Sequence, residues 1–192
     1  MDILFVGAPR LERWEGRAFH PMARRPGDRD DVYQRDLAPE APGEPGPGFG
    51  RVAAAIRAYS IFPPSLVEAV TRRSIELGDT VGIHYRGFRV VRLFFAARVI
   101  DVFDGPGDGL GAGWWRAGFR YRTLLGHPEL GEETFAVEKE LATGRVRVVL
   151  RSWSRPGTCL ARTFGPIVRR AQVHASHRAL DHLAAIGAIT TP

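Results

Sequence analysis

The sequence predicts an α+β fold in which a curved antiparallel sheet of at least five strands grips one long C-terminal helix. Two observations carry this prediction. Apolar and polar residues alternate through the middle of the chain, which is the pattern of strands that bury one face. Near the C-terminus the apolar residues recur every three or four positions, which is the pattern of an amphipathic helix.

The predicted strands follow one another between residues 80 and 150. The first two cover residues 80–85 and 91–99, and two more contain Phe135 with Val137 and Val148 with Leu150. The clearest alternation places one set of residues on the inner face and another on the outer face. The inner set is Trp115, Ala117, Phe119 and Tyr121, and the outer set is Arg116, Gly118, Arg120 and Arg122. Short turns between neighbouring strands favour antiparallel pairing.

Two helices are predicted on either side of these strands. Ser65 is placed to cap a helix over residues 66–76, and Gly78 follows it. The long C-terminal helix runs over residues 166–186 and ends at Gly187. Because an amphipathic helix that follows a sheet must bury its apolar stripe, we expect it to pack across that sheet.

The domain organisation predicted from the sequence is a single domain over residues 49–192, preceded by a loosely attached segment over residues 1–48. Eight of the twelve residues from Pro39 to Gly50 are Pro or Gly, a composition typical of a linker or surface arm. Within it, residues 3–6 and 31–34 could each form a short strand, but residues 10–30 show no sustained periodicity.

Composition narrows the class of partner. The net charge is +6, but Lys139 is the single Lys among 27 cationic side chains and the arginines are dispersed, which argues against nucleic acid binding. Cys159 is the single Cys, so an intrachain disulfide is excluded and a reducing, cytoplasmic compartment is expected. No apolar run approaches the length of a membrane span, which is about 20 residues.

No cofactor or metal site is predicted. The glycine-rich stretch 105–113 lacks the strand and helix that flank a nucleotide-binding loop. His174 and Asp181 are seven positions apart, or about 10 Å along a helix, so with His177 between them they do not suit one ion. His84 falls on the polar side of its strand and is expected to be exposed.

Residues 119–138 (FRYRTLLGHPELGEETFAVE) resemble the signature of an uncharacterised family called domain of unknown function nineteen-ninety. Residues 152–156 (SWSRP) and 165–172 (GPIVRRAQ) fit the same family. The layout is similar to the helix-grip superfamily of START-like, Bet v 1-like and polyketide-cyclase proteins. That similarity implies a hydrophobic cavity between the sheet and the terminal helix.

The loop over residues 125–133 holds the densest group of titratable side chains. A His beside carboxylates is suited to proton transfer, which makes His127 and Glu133 the candidate catalytic residues. Strand parity directs Glu133 inward with Phe135, whereas Glu132 faces solvent. The alternative is a plain hairpin, in which Gly126 and Gly131 supply the turn dihedrals and Pro128 rigidifies the bend. The acidic residues would then bind loop amides or pair with Arg120 and Arg122.

These observations support three hypotheses. The leading one is binding of a small hydrophobic molecule, lipid-like or polyketide-like, by the inward aromatic residues and the loop. The expected ligand-binding residues are Tyr85, Phe95, Trp115, Phe119, Tyr121, His127, Glu133 and Phe135. The second is a cyclase-like or hydrolase-like enzyme that uses His127 or Glu133. The third is a protein-binding or nucleic-acid-binding module that uses the outward arginines Arg116, Arg120, Arg122, Arg145, Arg147 and Arg151.

Overall fold

A computed structural model describes residues 2–4, 11–21, 24–86, 92–107, 111–158, 163 and 165–189. Its strands are β1 Asp2–Leu4, β2 Arg29–Asp36, β3 Val67–Val70, β4 Thr80–Tyr85, β5 Arg92–Gly107, β6 Gly111–Thr123, β7 Glu129–Glu140 and β8 Val146–Pro156. Its helices are α1 Glu12–Glu15, α2 Pro47–Arg57 and α3 Gly165–Gly187. Cys159 lies outside the described residues.

The sheet is antiparallel, with the strand order β2-β8-β7-β6-β5-β4-β3. β1 pairs with the start of β5, ahead of the stretch that pairs with β6. A bulge in β5 between Val99 and Asp101 shifts the register, and such bulges bend a sheet. The predicted curved antiparallel sheet with a long C-terminal helix is confirmed.

The main core lies between the inner face of the sheet and the two longer helices. Phe119 and Phe135, directly opposite on β6 and β7, are almost fully buried in it. α2 adds Val52 and Ile56, and the C-terminal half of α3 adds Leu183. Every described inward position of β6 from Trp115 to Tyr121 belongs to this core or packs against it, as the alternation predicts.

The described N-terminal residues are part of the folded structure. β2 forms eight consecutive pairs with β8 at one edge of the sheet. α1 packs on the outer face of the sheet, where Trp14 is fully buried against Phe94. The segment over residues 1–48, predicted to be loosely attached, therefore contributes two strands and part of a second, smaller core.

The Pro/Gly-rich segment is anchored by an ion pair between Glu40 and the buried Lys139. Glu40 accepts hydrogen bonds from the backbone N–H groups of Gly46 and Phe49 at the start of α2, at 2.7 and 2.8 Å. Lys139 Nζ lies 3.1 Å from the same carboxylate and donates to the Glu44 carbonyl at 2.7 Å. A negative charge at a helix N-terminus is favourable, and Lys139 balances it.

The predicted helix over residues 66–76 is wrong. Residues 67–70 form the edge strand β3, which pairs with β4 from Val67 opposite Tyr85 to Val70 opposite Gly82. Apolar residues in so short a run fit the period of a helix and that of a strand equally well, and the exposed backbone edge of β4 favours a strand.

In the described residues, no helix is long and apolar enough to cross a membrane.

Candidate functional site

A cavity of about 420 Å³ lies between the inner face of the sheet and the N-terminal half of α3. Its wall is largely apolar and aromatic: Tyr59, Phe62, Val67, Ile83, Tyr85, Leu93, Phe95, Tyr121, Pro128, Trp153, Ile167, Val168, Ala171 and Ala175. A few polar residues complete it: Thr123, His127, Glu129, Glu132, Glu133, Ser152, Ser154, Gln172 and Ser176.

The side chains of α3 explain why the space is at this end of the helix. In the C-terminal half, Leu180 and Leu183 are buried and fill the gap down to the sheet. Toward the N-terminus, the residues that line the cavity include the small Ala171 and Ala175. Alanine side chains are too small to fill the gap between the helix and the sheet, so a cavity remains at this end of α3.

Five of the eight predicted ligand-binding residues line this cavity: Tyr85, Phe95, Tyr121, His127 and Glu133. The other three do not. Phe119 and Phe135 lie one inward position further along the strands, beneath Tyr59, with ring centroids 5.8 and 6.2 Å from it. Trp115 lies further still along β6, and its indole N–H donates to Asp104 Oδ1 at 3.1 Å.

Tyr121 and Glu133 form the central polar pair of the cavity. They are direct partners across β6 and β7, so their side chains share one face. The Tyr121 hydroxyl donates to Glu133 Oε2 at 2.6 Å. Burial raises the pKa of Glu133 to about 7, opposed by this hydrogen bond and aided by the nearby charge of Asp31. Burial likewise raises the pKa of Tyr121 well above its ordinary value.

His127 is held by its own loop. The side chain is 6% exposed, and Nδ1 lies 3.0 Å from the Glu129 backbone nitrogen and 2.7 Å from the Glu129 carbonyl oxygen. The ring packs edge-on against Phe95 with centroids 4.5 Å apart. Burial lowers the pKa of His127 to about 3, so the imidazole is neutral at physiological pH. Its Nδ1 contacts hold the loop, and the residue also lines the cavity.

Several cavity residues were missed by the sequence analysis. Tyr59 and Phe62 belong to the segment after α2, where no strand parity indicates a direction. Tyr59 has a φ of 53°, in the left-handed region, and is buried against Phe119 and Phe135. Trp153 lies on β8 and Gln172 on α3. The one signal in the sequence for these two residues was the presence of two aromatic side chains shortly before Pro63.

All six outward arginines are engaged by carboxylates. Arg116, Arg147 and Arg151 surround the fully buried Glu138 at 3.1, 2.8 and 3.4 Å. The other three pair with acidic partners on neighbouring strands: Arg120 with Asp101 and Glu132, Arg122 with Glu132, and Arg145 with Asp36. The positive charges of these arginines on the outer face of the sheet are therefore balanced by neighbouring carboxylates.

The remaining polar candidates lie outside the cavity. His84 was expected to be exposed, which is wrong: it is 2% exposed, and its Nδ1 lies 3.1 Å from Glu68 Oε2. The reason is β3, whose pairing with β4 brings Glu68 directly opposite His84. On α3, Asp181 pairs with Arg35 at 2.6 Å and the His177 ring contacts Tyr33.

An antiparallel sheet that grips a C-terminal helix over an apolar cavity defines a helix-grip protein. The chain belongs to the family described as Domain of unknown function (DUF1990), whose profile matches residues 20–182. The resemblance noted from residues 119–138 is thus confirmed. A comparison of the sequence with curated proteins finds no significant match.

Solved structures share this fold at low sequence identity. A hypothetical protein, jhp0584, from Helicobacter pylori is 16% identical, with a TM-score of 0.54, over 88% of this chain and 99% of that chain. Protein Ms6760 from Mycobacterium smegmatis is 11% identical, with a TM-score of 0.51, over 85% and 93%. Major latex-like protein 151 from Panax ginseng is 8% identical, with a TM-score of 0.49, over 84% and 99%. The first two, whose TM-scores exceed 0.5, establish the fold alone.

Proposed function

We propose that this protein binds a small hydrophobic molecule, lipid-like or polyketide-like, in the cavity beneath α3. The observation that carries the proposal is the cavity itself, about 420 Å³ with a largely apolar and aromatic wall. Each 100 Å² of apolar ligand surface buried there contributes about 2.5 kcal/mol before the costs of association. The Tyr121–Glu133 pair is the polar group that orients the ligand.

A matched pair of helix variants tests this proposal. Ala171→Phe places a ring in the cavity, whereas Ala185→Phe adds the same ring at an exposed position of the same helix. Titration with the uncharged fluorescent probe N-phenylnaphthylamine should give at least about tenfold weaker binding for Ala171→Phe, a loss of about 1.4 kcal/mol. Native mass spectrometry of the purified protein should detect a retained molecule that Ala171→Phe lacks.

Equal probe binding by both variants would place the probe outside the cavity and remove the proposal. The same conclusion follows if the wild-type protein neither binds the probe nor retains a molecule. Circular dichroism and thermal unfolding of both variants show whether the added ring leaves the fold intact.

Proton transfer by Glu133 is the second candidate function. A carboxyl group whose pKa is about 7 is suited to both accept and donate a proton near neutral pH. In a cyclase-like or hydrolase-like reaction Glu133 would be the acid–base group, with the Tyr121 hydroxyl beside it at 2.6 Å. Turnover of a retained molecule by the wild type but not by Glu133→Gln would support it, and equal turnover by both would exclude it.

A further inference from the structure

The acidic groups of the cavity are unequally compensated. Three glutamates line it, and in the part of the chain that the structure describes no Lys or Arg does. Glu129 receives a hydrogen bond from Arg29 at 2.7 Å. The Glu132 carboxylate lies on the outer face of β7, where it receives a hydrogen bond from the outward Arg122 at 2.9 Å. Glu133 has no cationic partner among the described residues.

The groups that surround Glu133 are neutral or acidic. Tyr121 on β6 donates to it, and Tyr59, just after α2, interacts electrostatically with it. β2 contributes Asp31, whose negative charge repels that of Glu133, and Tyr33, whose pKa is raised in part by the charge of Glu133. On α3, Arg169 binds Asp31 with two hydrogen bonds of 2.5 and 2.6 Å. Arg169 is thereby already neutralised by another carboxylate.

The cavity wall favours positive charge as well. Tyr59, Phe62, Tyr85, Phe95 and Tyr121 all contribute aromatic rings to it. The negative face of an aromatic ring attracts an ammonium group, most strongly where water is excluded. An anionic ligand would meet the same ring faces and the Glu133 carboxylate, and both would repel it.

We propose that the occupant of this cavity is an apolar molecule carrying a protonated amine, whose ammonium group binds the Glu133 carboxylate beside Tyr121. The inference rests on the proposed function, because it specifies the chemical class of the same ligand. The ammonium supplies the counter-charge that Glu133 lacks, and the apolar body occupies the aromatic part of the cavity.

A series of three ligands with one apolar body tests the charge requirement: naphthylethylamine, naphthylethanol and naphthylacetate. Isothermal titration calorimetry of the wild type should show the amine binding about ten- to a hundredfold more tightly than the alcohol, as expected for a charge-assisted hydrogen bond. The carboxylate should bind most weakly. Glu133→Gln should remove the preference for the amine, whereas Glu140→Gln, at the far end of β7 and outside the cavity, should keep it.

The pH dependence provides a second readout. Because Glu133 loses its proton as the pH rises through about 7, amine affinity should increase from about pH 6 to about pH 8 in the wild type. Binding should release protons, which calorimetry in two buffers of different ionisation enthalpy measures. Both effects should be absent in Glu133→Gln.

The neutral probe N-phenylnaphthylamine separates the two possible failures. If the probe binds but the amine has no advantage over the alcohol, the charge inference is overturned and the hydrophobic binding function stands. If neither the probe nor any of the three ligands binds the wild type, the binding function is overturned together with the inference. An amine preference that survives in Glu133→Gln would place the ammonium elsewhere and also overturn the inference.

Discussion

Replacing Glu133 by Gln should stabilise the protein at alkaline pH and change it little at acidic pH. The carboxyl group is partly buried in the cavity, where the charged form is disfavoured by loss of hydration and by Asp31. Gln has nearly the same shape and keeps an oxygen that can accept the 2.6 Å hydrogen bond from Tyr121. The substitution therefore removes the charge while keeping the local packing.

The size of the effect follows from the pKa of Glu133, which burial raises from 4.5 to about 7. Between these two values the folded protein binds more protons than the unfolded chain, so the free energy of unfolding falls as the pH rises. Each unit of pKa corresponds to 1.36 kcal/mol, so the full cost of ionising Glu133 is about 3 kcal/mol above pH 7. Below pH 4.5 the group is neutral in both states and the cost disappears.

Urea unfolding of the wild type and of Glu133→Gln, each refolded from denaturant to remove any bound molecule, measures this cost. The variant should gain about 2.5 kcal/mol more at about pH 8 than at about pH 5, which is a midpoint shift of roughly 1 M urea. Glu140→Gln removes the same charge from the end of β7, outside the cavity, and should show no such gain. A loss of stability at pH 8, or an equal gain at both pH values, would refute the reasoning.

Two further substitutions test the N-terminal region. Glu40→Ala leaves the buried Lys139 without a counter-charge and uncaps α2, so urea unfolding should show a loss of about 3–5 kcal/mol. The double variant with Lys139→Met should recover part of it, and no recovery would mean that the cap alone matters. Trp14→Ala empties the smaller core and should cost about 3–5 kcal/mol; a change below about 1 kcal/mol would show that residues 11–21 are dispensable.

Much of the sheet was predictable because its long strands carry a strict period of two. β6 is the clearest example: its inner set and its outer arginines were assigned from alternation alone and lie on those faces. The C-terminal helix was equally clear, since its apolar stripe has the helical period and Gly187 ends it. Long elements average over many residues, so one ambiguous position does not change the pattern.

Short and edge strands were not predictable in the same way. β3 has four residues, too few to separate the two periods. In β2, only residues 31–34 indicate a strand from the sequence, because the strand is mostly polar and Val32 on it is 63% exposed. Both strands exist because a neighbouring strand offers unpaired N–H and C=O groups along its edge. That edge is a property of the assembled sheet.

The sequence by itself determined the candidate polar pair of this protein. Parity placed Tyr121 and Glu133 on the inner face, because alternate side chains of a strand point to opposite sides. Only the tertiary structure decided which inward residues line a cavity and which are solid core. Phe119 and Phe135 are covered by Tyr59, whereas Tyr121 and Glu133 face the space left by Ala171 and Ala175. Strand parity fixes the face of a residue, but what packs over that face depends on where distant helices lie.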